Sequence, residues 1–170
     1  MKNLLFIAIA VLTLASCQPS EKIGFVDNSK LINDYQEKKD VEEKMKGKIE
    51  AFQKRTDSLR QSFQLEINEA ELKARGMSQE NLQKLSQELQ KKEQILSQRV
   101  QFEQQQIAQE SQTQNDSLIK KVKGFVKDYG KANGYSYILG SNEVGSVMFG
   151  KEDSDLTQTI LEALNKAYSK

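Results

Sequence analysis

The chain has no histidine and no tryptophan, and only one proline and one cysteine, among its 170 residues. Without histidine the commonest general base and metal ligand is missing, and neither a Ser-His-Asp nor a Cys-His arrangement can be built. A lone cysteine cannot close an internal disulfide. The formal net charge is only +1, so nucleic acid held by bulk charge is excluded as a partner. The glycines match neither a phosphate loop nor a dinucleotide fingerprint. Asp153-Ser154-Asp155 invites a calcium reading, but Gln158 stands where the EF-hand pattern needs glycine. No catalytic residue, metal site or cofactor is therefore expected, and the chain is not read as an enzyme.

What is present is patterned. Apolar residues make up 37% and charged residues 29%, which is too polar for one compact globule of this length. Lys2 and the apolar run Leu4 to Leu14 form the start of an export signal, too short to span a bilayer. The run ends in Leu14-Ala15-Ser16-Cys17, which resembles a bacterial lipobox. Residues 1–16 are read as the signal peptide, Cys17 as the lipidated first residue and residues 17–21 as a polar tether. Removing residues 1–16 deletes Lys2 and no acid, leaving 24 basic and 24 acidic residues. Gln18 is not the acidic residue that retains some lipoproteins at the inner membrane, so a periplasmic protein anchored to the outer membrane is expected.

Ile23 to Val26 reads as a strand, followed by helix caps at Asp27-Asn28-Ser29. From Lys30 to about Ala74 apolar residues recur at Met45, Ile49, Phe52, Leu59, Phe63, Ile67 and Ala70, at helical spacings. Ala74 to Ser78 interrupts the pattern, with Gly76 suited to a C-cap and Ser78 to an N-cap. A second helix then runs to about Asn133, its seam including Leu82, Leu85, Leu89, Leu96, Val100, Ile107, Leu118 and Val122. Folding back about the tip sets Ile67 opposite Leu85, Phe63 opposite Leu89, Phe52 opposite Val100 and Met45 opposite Ile107. All these pairs share one sum of residue numbers, as an antiparallel hairpin requires. Ile49 with Phe102 and Ile32 with Ile119 fall one residue from that register. Each arm would reach roughly 65 Å at ~1.5 Å per residue.

After Asn133-Gly134 the period becomes strand-like. Tyr135 to Leu139 and Gly145 to Phe149 are read as a strand hairpin turning at Gly140 to Glu143. Asp155 and Gln158 form a capping-box pattern for a last helix marked by Leu156, Ile160, Leu164 and Ala167. Only Phe52, Phe63 and Phe102 lie well out on the arms; the other aromatics of the mature chain cluster near its ends. The two ends therefore meet in a small head, residues 22–35 and 124–170, from which residues 36–123 project as the arm with its tip near 74–78. A core so small leaves open sheet edges, and oligomerisation through the head is the remedy. Ile23, Phe25, Tyr137, Leu139, Val147 and Phe149 are the candidate oligomerisation core. Leu65, Leu72 and Met77, off the seam or at the tip, are candidates for contact with a bound polypeptide.

The order strand, long helical hairpin, strands and terminal helix, following an export signal, resembles the Skp/OmpH periplasmic chaperone family. The resemblance rests on Lys22-Ile23-Gly24-Phe25-Val26-Asp27, Gly134 to Leu139, Val147-Met148-Phe149 and Asp155-Leu156-Thr157. It implies a mostly α, α+β fold, a homotrimer with a common β body, and three arms that enclose unfolded outer-membrane proteins and prevent their aggregation without ATP. Best-known members are strongly basic and soluble, whereas this mature chain is neutral and carries the lipobox. No lipopolysaccharide-binding motif maps onto it residue by residue. The alternative reading is a coiled-coil structural or adaptor lipoprotein linking the membrane to an envelope partner.

Overall fold

The computed structural model describes residues 21–142 and 145–169; the signal peptide, Cys17 and most of the tether lie outside the described residues. The element order is β1 (Ile23–Asp27), α1 (Asn28–Asp34), α2 (Gln36–Ala74), α3 (Gln79–Ala132), β2 (Tyr137–Ser141), a 3-10 turn (Glu152–Ser154) and α4 (Thr157–Tyr168). The fold is mostly helical: α2 and α3 form a long antiparallel hairpin on a small α+β head.

Asp27 caps α1 by accepting from the Lys30 N–H at 3.0 Å. The chain then leaves helical geometry for one residue, Tyr35 (φ −64°, ψ 126°), so the first helical stretch is two helices rather than one. Tyr35 is fully buried, and the kink delivers its ring into the head. The helix α2 has 39 residues and α3 has 54, or about 58 and 81 Å at ~1.5 Å per residue. At the tip Ser78 caps α3 by accepting from the Asn81 N–H. Gly76 lies in the turn without left-handed backbone, so it is not the C-cap that its position suggests.

The root end of α3 closes with a left-handed cap. Gly134 has φ +70°, the Tyr135 N–H donates to Gly130 O at 2.9 Å and the Gly134 N–H to Lys131 O at 3.4 Å. This pair of bonds satisfies carbonyls that the helix end would otherwise leave bare. It also turns the chain back so that Tyr135 stacks on Tyr129 and β2 can run beside β1.

The two strands pair in parallel, Ile23 with Tyr137 through Asp27 with Ser141. The whole hairpin arm is thus the crossover between two adjacent parallel strands. Asp155 makes a further parallel bridge to Phe25, and the Leu156 N–H donates to Phe25 O at 2.8 Å. The expected strand at Gly145 to Phe149 does not form among the described residues: β2 has β1 as its partner, and residues 146–148 are bends. Gly145 takes a left-handed φ of +93°, and Gly150 lies so close against the Phe25 ring that a Cβ there would sit 2.3 Å from it. The segment therefore crosses the sheet instead of running along β2.

The same bridge displaces the expected capping box. Asp155 is held extended beside Phe25, so α4 starts at Thr157, after Leu156. Asp155 Oδ1 accepts from the Thr157 N–H at 2.8 Å and from its hydroxyl, and Thr157 Oγ1 accepts from the Asp27 N–H at 2.8 Å. Gln158 bonds along its own helix to Glu162. The core joins both ends of the chain to the arm roots: Val26, Leu31 and Tyr35 pack with Leu118 and Val122 of α3 and with Leu156, Ile160, Leu161 and Leu164.

Candidate functional site

Two surfaces remain once the core is closed, the arm and the outer face of the sheet. On the arm, Met45, Thr56 and Ala70 of α2 are buried against α3. Four ion pairs cross between the helices: Glu37 with Lys121, Lys48 with Glu110, Arg55 with Glu103 and Glu66 with Lys92. The residue numbers of every pair add to 158, so one register holds from the root nearly to the tip. The apolar pairs read from sequence share a smaller sum, and the difference has a geometric cause. Helical side chains lean toward their own N-terminus. In an antiparallel pair, long side chains that meet must therefore come from residues of higher number on both helices.

The ion pairs also correct the seam. Glu103 turns toward α2 to meet Arg55, so Phe102, one helical step of about 100° away, faces outward and is 61% exposed. Ile49, its expected partner, is exposed as well. At the root Leu118 is buried and Ile119, expected opposite Ile32, is not. Between α2 and α3 near the tip lies an open groove of about 350 Å³, floored by Phe63, Ile67, Ala70, Leu82, Leu85 and Leu89.

The candidate contact residues stand apart. Leu65 and Leu72 are each 64% exposed on α2, while Met77 is half-buried in the tip turn. Sequence reasoning missed Ile95 and Phe102, both exposed on α3. The adjacent pair Ile95-Leu96 could have signalled the first, since two neighbouring residues cannot both face one seam.

In the head, strand alternation sends Gly24 and Val26 inward and Ile23 and Phe25 outward. The register places Tyr137 beside Ile23 and Leu139 beside Phe25 on the same outer face. Ile23, Tyr137 and Leu139 are exposed, Phe25 and Val147 are half-buried, and Phe149 is 86% exposed beside the equally bare Met148. The six candidate oligomerisation residues thus lie outside the core of the single chain. Opposite them, a groove of about 470 Å³ between α3 and β2 is rimmed by Lys123, Lys127 and Lys131.

A polar cluster ties the arm roots to α4. The Glu37 carboxylate accepts from the buried Tyr35 hydroxyl at 2.5 Å and from Lys121, and Asp40 accepts from the Tyr168 hydroxyl at 2.8 Å. Burial, then the Glu37 hydrogen bond and charge, pushes the Tyr35 phenol well up. Burial alone would raise the Glu37 carboxyl, but the hydrogen bonds from Lys121 and Tyr35 outweigh it and hold the group below its ordinary value. Among the described residues no cluster of three or more His, Cys, Asp or Glu could hold a metal ion, and no helix is long and apolar enough to cross a membrane.

The family model described as outer membrane protein (OmpH-like) matches residues 22–164. The chain belongs to the OmpH-like family. Among solved structures, an OmpH-like protein from Caulobacter crescentus, designated an outer membrane chaperone by its likeness to that family, superposes on this OmpH-like chain with a TM-score of 0.76 at 16% identity, covering 88% of this chain and 87% of that one. No curated protein sequence matches it. The shared fold is the hairpin arm on its small head; at this identity the likeness speaks for the fold.

Proposed function

We propose that this OmpH-like protein is an ATP-independent periplasmic holdase that binds unfolded outer-membrane proteins and prevents their aggregation. The observation that carries the reading is the arm itself. Two long helices locked in one register hold Leu65, Leu72, Ile95 and Phe102 in water, far from the core that could have covered them. Scattered apolar side chains on a charged rod offer many weak contacts, which sum to useful avidity without reading a sequence. Release follows the client's own folding. The family and the solved chaperone of like fold support the reading.

The protein assembles in this proposal as a homotrimer through the outer sheet face. The exposed Ile23, Tyr137 and Leu139, with Phe149, form an apolar surface on a two-stranded sheet too small to stand alone. Three arms would then enclose a cavity. Cys17 carries the lipid anchor that holds the assembly at the outer membrane.

The test is suppression of aggregation of an unfolded β-barrel protein diluted from denaturant, followed by light scattering. Protection at about one trimer per client is expected. No protection over a wide range of ratios, together with saturable binding of a single folded partner, would instead mark a spacer or adaptor.

A further inference from the structure

The apolar groove near the tip has acids on its rim and no base. Glu71 stands at its tip end, and Glu93 stands at the other end beside Phe63. Of the neighbouring charges, Glu66 pairs with Lys92, Glu69 with Lys73 and Glu80 with Lys84, while Arg60, in no ion pair among the described residues, lines the adjoining groove on the far side of Glu93. Glu71 and Glu93 take part in no ion pair among the described residues. Two unspent carboxylates thus bracket a floor of Phe63, Ile67, Leu82, Leu85 and Leu89. Leu82 is 38% exposed, so the floor is open to an occupant.

We propose that this groove is a binding site for extended apolar segments of a client that carry a lysine or arginine at each end. The inference rests on the holdase reading and names the class of segment held. Along the arm the two carboxylates are six residues apart in the ion-pair register and twelve in the apolar one, a separation of roughly 9 to 18 Å at ~1.5 Å per helical residue. An extended chain rises about 3.3 Å per residue, so basic side chains roughly four residues apart, on one face of the strand, span the middle of that range and meet both acids at once. The alternate apolar side chains between them then face the floor. Acidic flanks would meet the same carboxylates with like charge, which gives the site its selectivity. The lysine rim of the head groove would repel such a segment, which directs it to the arm.

The experiment compares two fluorescein-labelled peptides, Lys-Val-Tyr-Val-Lys and Glu-Val-Tyr-Val-Glu, by anisotropy with the full-length protein in neutral detergent at low salt. The lysine-flanked peptide should bind about tenfold more tightly, with the preference fading as salt is added. The double variant Glu71→Gln/Glu93→Gln should bring the two affinities together, and Glu71→Lys/Glu93→Lys should invert their order. Circular dichroism of each variant checks that the arm is intact; both positions lie on the rim, outside the buried seam. Equal affinities in the unaltered protein, or a preference that survives both variants, overturns the proposal. Light-scattering protection by the unaltered protein reads the holdase function separately, so either idea can fail without the other.

Discussion

The Lys121 ammonium of α3 donates to the Glu37 carboxylate of α2 at the root of the arm, 84 residues apart in sequence. Because the Tyr35 hydroxyl donates to the same carboxylate, one group fastens the arm to the head from two sides. The Glu37 carboxyl titrates below its ordinary value, so its stabilising effect is complete above the unfolded value near ~4.3 and is lost as pH falls through the folded value. Glu37→Gln should lower stability by about 1 kcal/mol at pH 7, after allowing for the half-exposed Lys121, and by less at pH 3. Thermal denaturation of both proteins at the two pH values measures this.

Ile160 is fully buried and Leu164 nearly so, at the centre of the head. Ile160→Ala should cost about 2–5 kcal/mol, because the tightly packed ends of the chain cannot collapse onto the vacated space. Leu72→Ser, on the exposed arm, should change stability by less than about 0.5 kcal/mol while weakening protection of an unfolded client. Denaturant titration and light scattering on the two variants separate core from contact residues.

Glycines at two positions make opposite predictions. At Gly124 in α3 nothing lies within 4 Å of an added Cβ, so Gly124→Ala should raise stability by about 0.5–1 kcal/mol. At Gly150 the added carbon would strike the Phe25 ring at 2.3 Å, so Gly150→Ala should lower it.

Tyr137 and Leu139 project from the outer sheet face with no cover in the single chain. Leu139→Lys should leave helical circular dichroism intact and reduce the native mass from three chains to one. An unchanged native mass would remove the proposed assembly surface.

Cys17→Ser should move the protein from the membrane fraction to the soluble periplasm, with the diacylglycerol-modified N-terminal peptide absent by mass spectrometry. Persistent membrane attachment would count against the lipobox reading.

The long helices were legible because their period is local. Apolar residues three and four apart can share a face only in a helix, and the break at Ala74 to Ser78 forces that face back on itself. The absence of histidine removed the usual catalytic arrangements by composition alone. The exposure of Leu65 and Leu72 was legible for the same reason, as apolar residues off the seam.

Tertiary structure decided the partners. Whether Tyr137 to Ser141 pairs with the nearby Gly145 to Phe149 or with the distant Ile23 to Asp27 depends on what the Gly134 cap and the Gly150–Phe25 contact allow, and strand patterns are alike in both cases. The same holds on the arm. Phe102 and Glu103 are neighbours near the helical seam, and the ion pair of Glu103 with Arg55 shows that the charged residue, not the aromatic one, turns inward. Periodicity is a property of adjacent residues, while register and pairing are settled by side chains that meet across a hundred positions of chain.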